Sequence, residues 1–213
     1  MSYTYVIKKL RKMNDNFAHR AAEWDTSEKI NMTEIFVAEM LQHVKPQPTW
    51  KALEIGAGTG LVGMQILPLV RKVVFEDTSA AMLDVLKLKL EEKNQAEILH
   101  GEVYDYNQKD IDLIFSCMAL HHVPDIEKTL QHLSTITNPG AMVVIGDLKT
   151  EDGSFHRFEP IPHRGFDTDI LSEQFRNAGF EVQKVHVYNI LSRERIEGVI
   201  ADFEQFILIA KKK

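Results

Sequence analysis

The residues best suited to chemistry form two sets: a glycine turn, Glu54-Ile55-Gly56-Ala57-Gly58-Thr59-Gly60, and histidines and acids that follow the later apolar runs. In such a turn small residues let the backbone pass close beneath a ligand, while the helix that follows aims its N-terminal amides into the site. Two ligands suit it, the pyrophosphate of a dinucleotide or a nucleoside carrying an amino-acid tail. Gly58, Gly60 and Gly63 satisfy the dinucleotide spacing G-x-G-x-x-G. In that arrangement the first glycine directly follows the strand, whereas here the apolar run ends near Ile55 and Gly56 already occupies the place. The frame E-x-G-x-G-x-G therefore fits better. Glu54, at the carboxyl end of the first strand, can brace the turn or meet a ligand ammonium through water. An acid at the tip of the second strand can accept hydrogen bonds from both hydroxyls of a ribose, and register favours Asp77 over Glu76.

Groups that move a proton or hold a second substrate must lie at the carboxyl edge of the sheet, where ligands bind in open α/β folds. His121 and His122 follow the fourth apolar run, Asp147 stands just beyond the fifth, and His156, His163 and Arg164 lie in the irregular stretch after it. For His121 and His122 a backbone hydrogen bond weighs more than catalysis, whereas an irregular loop such as that of His156 and His163 more often carries function. The expected catalytic set is His121, Asp147, His156 and His163. No metal site is expected, because His156, His163 and Asp147 lack close ligand spacing.

The elements that must position these groups are readable from periodicity. Short apolar runs alternate with segments of helical period from about residue 50 onward, the pattern of a mostly parallel sheet covered on both faces. The expected strands are 50–55, 72–76, 97–100, 111–116 and 141–146. Ser79 caps a helix with Met82, Leu83, Leu86 and Leu90 on one stripe, and Asp125 caps another with Ile126, Leu130 and Leu133. Asn138-Pro139-Gly140 breaks the chain ahead of the fifth strand. Residues 149–166 lose periodicity, and a loop of that length inside a compact domain is functional or mobile. A helix over 167–178, stopped by Gly179, precedes two closing strands, 182–188 and 205–210, joined as an antiparallel hairpin. Upstream, 17–44 is helix-rich, with FAHRAAEWD followed by an amphipathic run through Ile35, Phe36, Met40 and Leu41.

With 213 residues, 44% hydrophobic and 26% charged, the chain suits one soluble domain, and it has no apolar run long enough to span a bilayer. Its first residues are basic but hold no continuous apolar core, so no signal peptide is expected and the expected location is cytoplasmic. The net charge is −6, with Lys8, Lys9, Arg11 and Lys12 at one end and Lys211, Lys212 and Lys213 at the other, so the body between is more acidic still. A nucleic-acid surface, which needs a basic footprint, is not expected. The single cysteine, Cys117, excludes an internal disulfide and a multi-cysteine zinc site.

Asp77-x-Ser79-x-x-Met82-Leu83, with ALEIGAGTG at 52–60 and LHHVPD at 120–125, resembles the class I S-adenosylmethionine-dependent methyltransferases of the small bacterial type. The resemblance implies an α/β fold: a Rossmann-like seven-stranded, mostly parallel sheet with an antiparallel last strand, helices on both faces and an N-terminal helical lid. It implies one domain over 1–213, the lid over 1–45 and the core over 46–213. The implied cofactor is S-adenosylmethionine, with S-adenosylhomocysteine as product. Gly56, Gly58 and Gly60 would line its methionine and ribose portion, Asp77 would hold the ribose hydroxyls with Thr78 beside it, and Met82 would flank the adenine. Glu102 stands where the family usually has aspartate, to accept from the adenine amino group while the amide of Val103 donates to the ring. Backbone at Ser116 and Cys117 would meet the cofactor ammonium, and Phe17 and Trp24 would cover the cofactor or else pack as core aromatics.

Absences narrow the acceptor. No N/D/S-P-P-Y segment follows the fourth strand and Cys117 is not preceded by proline, which argues against adenine or amide N-methylation and against cytosine C5-methylation. One cysteine also argues against thiolate capture of arsenic. A small-molecule oxygen or nitrogen nucleophile remains, with no membrane or nucleic-acid partner. The alternatives are an NAD(P)-dependent oxidoreductase and a noncatalytic S-adenosylmethionine-binding protein.

Overall fold

The computed structural model describes residues 18–90 and 94–213, so Phe17 and the basic segment ahead of it lie outside the described residues. Apolar runs form β1 (Lys51–Ile55), β2 (Lys72–Asp77), β3 (Ala96–His100), β4 (Ile111–Cys117) and β5 (Thr137–Leu148), followed by β6 (Phe180–Ile196) and β7 (Val199–Lys212). Every residue of β1 is buried, as a central parallel strand covered on both faces must be. The seven strands make one sheet in the order β3-β2-β1-β4-β5-β7-β6. β1 to β5 run parallel, and β7 is antiparallel to both of its neighbours. This is the Rossmann-like sheet with an antiparallel last strand that the sequence motifs imply. The order reverses between β1 and β4, and the carboxyl ends of those two strands therefore open a crevice.

The helices are α1 (Ser27–His43), α2 (Gly63–Ile66), α3 (Ala80–Leu90), α4 (Ile126–Ile136) and α5 (Thr168–Asn177). Their starts follow local chemistry. Met82 N donates to Ser79 Oγ at 3.3 Å, Lys128 N to Asp125 Oδ1 at 2.9 Å and Ile170 N to Asp167 Oδ1 at 3.1 Å; caps of this kind contribute about 1 kcal/mol each. One face of the sheet packs Leu130, Leu133 and Phe175, and the other packs Leu83, Leu86, Phe36 and Met40. Because Phe36 and Met40 of α1 are fully buried in the same core as β1 and β4, a boundary at residue 45 cuts through shared packing. No helix among the described residues is long and apolar enough to cross a membrane.

Two segments depart from the sequence expectation. β5 begins at Thr137 and runs through Asn138-Pro139-Gly140, where a break is predicted. Thr137 pairs with Ile111 and Met142 with Leu113, so the extra residues bulge without ending the strand, and Asn138 Nδ2 ties the bulge to Asp112 Oδ1 at 2.8 Å. The closing hairpin is present but much longer than 182–188 and 205–210. Its ladder continues to the pair Ile196 and Val199 around a turn that has Gly198 at φ 74°. The far part of this arm contains the polar run Ser192-Arg193-Glu194-Arg195, and the arm leans on α1 through Arg193 to Glu28 (2.6 Å) and His186 to Glu39 (2.7 Å). A search for apolar runs therefore stops short of it.

The long loop is ordered by its own closure. Phe166 N donates to Leu148 O at 2.9 Å and Glu151 N to Arg164 O at 3.0 Å, fastening its base. A short helical turn, Ser154–His156, hangs from that base, anchored where Phe155 packs with Leu148, Leu191 and Phe203.

Candidate active site

Three carboxylates stitch the glycine turn from below. Gly63 N donates to Glu54 Oε1 at 3.2 Å, Gly56 N to Glu76 Oε2 at 3.3 Å and Gly58 N to Asp77 Oδ2 at 2.7 Å. Asp77 Oδ1 accepts from Ser79 N at 2.7 Å, which couples the turn to the start of α3. Gly56 has φ 68°, and a Cβ there would fall 2.3 Å from the Cβ of Ala119, so only glycine fits. A Cβ on Gly58 would meet nothing nearer than Trp24 Nε1 at 3.8 Å, which leaves this backbone open beneath the indole.

Burial, then the charge of Asp77, pushes the Glu76 carboxyl up to about 8. Burial also drives Glu54 well above the usual carboxylate range, against the opposing bond from Gly63. Glu54 Oε2 finds no hydrogen-bond partner among the described residues. A crowded, half-satisfied set of acids is complementary to a cation.

The second set of chemical groups has converged. Asp147, at the carboxyl end of β5, is fully buried, and its Oδ1 lies 2.7 Å from His121 Nδ1 while its Oδ2 accepts from His121 N at 3.1 Å. Leu148 N also donates to Asp147 Oδ1 at 2.7 Å, so the carboxylate is held from several sides. This arrangement puts the His121 proton on Nδ1 and leaves Nε2 as the exchangeable position. His121 Nε2 lies 3.1 Å from His156 Nε2. The ring of His122 stands 4.2 Å from that of His121 and 5.3 Å from that of His156. Burial, followed by those two neighbours, pushes His122 down to about 3. Cys117 is pushed the other way by burial, which keeps it a thiol and removes it as a nucleophile.

Both sets line one cavity of about 600 Å³. Of the sequence candidates, Trp24, Glu54, Gly56, Gly58, Asp77, Thr78, Met82 and Cys117 border it with the turn, and His121 and His156 border it with the long loop. Asp147 lies behind His121 and reaches the cavity only through it. Gly60 is behind the turn, where a Cβ would strike Leu86. Ser116 is buried and donates its hydroxyl to Ile55 O at 3.0 Å, tying β4 to β1. Glu102 is exposed, with its backbone N–H bound by Asp105 Oδ2 at 3.0 Å, and neither it nor Val103 borders the cavity. His163 is also elsewhere: its Nε2 donates to Val123 O at 3.0 Å and its backbone N to His121 O at 3.2 Å, so it fastens the loop and does not face the cavity.

The sequence reading missed a cationic portion of the wall made by Arg20, Lys29, Arg157 and Arg193. Lys29 Nζ sits 3.2 Å over the Trp24 ring, and Arg193 arrives from the overlooked end of β6. Only the basic spacing of Arg20 and Lys29 around Trp24 was a usable signal; nothing local marks Arg193.

Residues 53–143 match the model of the methyltransferase domain. An uncharacterized methyltransferase of Oceanobacillus iheyensis is 26% identical over 181 residues, 82% of each chain. Across residues 53–143 the chain carries a methyltransferase domain. An uncharacterized methyltransferase of Schizosaccharomyces pombe is 25% identical over 153 residues, which are 62% of the chain but span only 54% of that relative. An S-adenosylmethionine-dependent methyltransferase from Aquifex aeolicus shares the fold, with a TM-score of 0.68 and 16% identity over 92% of this chain and 98% of its own.

The cofactor that the sequence motifs imply is S-adenosylmethionine. The residues present fit it: a turn that tolerates no Cβ at Gly56, open backbone at Gly58 and buried acids suited to a cationic ligand.

Proposed function

We propose that this methyltransferase methylates an oxygen or nitrogen of a small anionic acceptor. The observation that supports this reading is the division of charge around one cavity, with Glu54, Glu76 and Asp77 on one part of the wall and, on another, Arg20, Lys29, Arg157 and Arg193 outnumbering Glu28 and Glu159, although Arg193 pairs with Glu28 at 2.6 Å. When bound, S-adenosylmethionine supplies an electrophilic methyl group on a sulfonium. Asp77, and Glu76 and Glu54 once a bound cation draws off the protons that burial makes them keep, would favour that cation over the uncharged sulfur of S-adenosylhomocysteine, which would assist product release. The cationic part attracts a carboxylate or phosphate on the acceptor. Lys29 is held below the usual lysine range by burial and then by Arg20 and Arg193, a crowding of positive charge that an acceptor anion relieves.

In-line displacement asks the chain chiefly for placement in a dry site. Asp77 and the turn at Gly56 and Gly58 hold the cofactor, with Thr78, Met82 and backbone near Cys117 around it. Asp147 positions His121, and His121 with His156 is the pair placed to accept a proton from the acceptor. The chain acts as one domain, and among the described residues the cover comes from 18–33, which bring Arg20, Trp24, Lys29 and Met32 to the cavity.

A thermal-shift panel with S-adenosylmethionine, S-adenosylhomocysteine, NAD and NADP tests the cofactor, and methyl-label transfer to metabolite fractions sorted by charge tests the acceptor. Stabilisation by the first two ligands alone is expected, with label in the anionic fraction. Label confined to neutral or cationic fractions overturns the acceptor class, and stabilisation by NAD alone overturns the whole reading. Arg193→Gln is expected to raise the acceptor KM roughly tenfold with S-adenosylhomocysteine affinity unchanged.

A further inference from the structure

We propose that His121, His122 and His156 together hold a first-row transition-metal ion of the zinc class, with Asp147 as the carboxylate that orients His121. Each of the three offers one ring nitrogen, and these atoms all lie within 4.8 Å of one another. A zinc ion bound to imidazole nitrogens at about 2.0 to 2.1 Å places tetrahedral ligand atoms about 3.3 Å apart. His121 Nε2 and His156 Nε2 are already 3.1 Å apart, so modest ring rotations complete the set. The sequence spacing of His156, His163 and Asp147 gave no hint of this, because the set that forms is a different one and depends on loop closure.

The outer shell points the same way. Ligating histidines almost always give their other ring N–H to a carboxylate or carbonyl, which fixes the tautomer and turns the free nitrogen toward the ion. His121 does so to Asp147 at 2.7 Å, and Asp147 is itself held by the backbone of Leu148 and His121. His156 is fixed in its turn by Phe155, packed edge-on against Phe203 at 5.1 Å, and by two non-glycine residues of positive φ, Arg157 at 54° and Phe158 at 60°. Local strain of that kind persists only where surrounding structure enforces it.

The donor chemistry selects the ion. An all-imidazole set suits zinc, copper, iron or nickel, and magnesium or calcium would require oxygen ligands. Three protein ligands bordering a cavity leave positions open for an exogenous group, the arrangement of catalytic rather than structural sites.

A second group of this kind, Glu39, His43 and His186, has a simpler account. There Glu39 Oε1 accepts from His43 Nε2 at 2.9 Å and from His186 Nε2 at 2.7 Å, and Lys184 Nζ stands 3.2 Å from His43, a cation that opposes an ion.

The role of the ion rests on the methyltransferase reading: an oxygen of the anionic acceptor would take an open position and be activated there, with the imidazoles acting as ligands and no longer as bases. Binding of the ion does not depend on that reading.

The test uses the full chain, stripped with a chelator and titrated with Zn²⁺ and, as a spectroscopic probe, Co²⁺. One equivalent of bound metal is expected, with Co²⁺ giving the visible bands of a low-coordinate nitrogen site. His122→Ala and His156→Ala are each expected to weaken Zn²⁺ at least a hundredfold, Asp147→Asn roughly tenfold to a hundredfold, and His43→Ala not at all. The milder His156→Gln, with circular dichroism on every variant, separates lost ligation from lost folding. Failure of the wild type to bind one equivalent, or unchanged Zn²⁺ affinity in folded His156→Gln, would each overturn the proposal, and full methyl transfer by the metal-free protein would overturn the role given to the ion. Calorimetry with S-adenosylhomocysteine on the stripped protein keeps the two readings apart: retained affinity leaves the methyltransferase reading standing whatever the metal result.

Discussion

Replacing Glu76 by glutamine should make the cofactor-free protein more stable, and by an amount that grows with pH. In the folded protein the Glu76 carboxyl is raised to about 8 from its ordinary 4.5, by burial first and by Asp77 second. Between those values the folded chain keeps a proton that the unfolded chain has lost, so stability falls as pH rises through this window and levels off above it. Each tenfold change in proton affinity corresponds to about 1.36 kcal/mol, and the whole window therefore amounts to roughly 4 to 5 kcal/mol, a large share of the stability of an ordinary domain. Glutamine keeps an oxygen to accept from Gly56 N, now at 3.3 Å, but has no charge to bury. Urea unfolding of both proteins at pH 5 to 9 without cofactor is the assay. Wild type and Glu76→Gln should be close at pH 5 and separate by several kcal/mol at pH 8. Glu54, raised in the same direction, leaves a residual slope in the variant. Parallel curves, or a variant less stable at pH 8, would refute the assignment of Glu76 as a buried acid held near neutrality.

Two further outcomes follow from the geometry. His156→Ala should lower methyl transfer strongly with little change in S-adenosylhomocysteine affinity, whereas His163→Ala should cost about 1 kcal/mol of stability by losing its bond to Val123 O and spare turnover; equal kinetic losses in steady-state assays would contradict this separation. Gly56→Ala should both destabilise the fold and abolish cofactor binding in calorimetry, because its φ of 68° and the 2.3 Å approach to Ala119 leave no room for a methyl group; normal binding would show that the turn yields more easily than this contact requires.

Much of this protein was decided within short stretches of its sequence. The turn from Glu54 to Gly60, the caps at Ser79 and Asp125, and the five parallel strands depend on spacings of a few residues and on apolar periodicity, and these are visible without a structure. Asp77 was readable for the same reason: it sits at the end of its strand, where register alone brings it to Gly58 N. Tertiary structure decided what distant segments meet. Asp147 reaches His121 because β4 and β5 pair in one register, and His156 reaches His121 because the loop base closes between Leu148 and Phe166. That same closure turns His163 toward Val123, although both histidines looked alike as loop residues. Arg193 reaches the cavity because the hairpin extends over α1, through a polar run, 192–195, that no apolar pattern announces. Loop closure and strand pairing join groups tens of residues apart, and their free energy comes from the whole packed sheet, which a reading confined to local spacing does not contain.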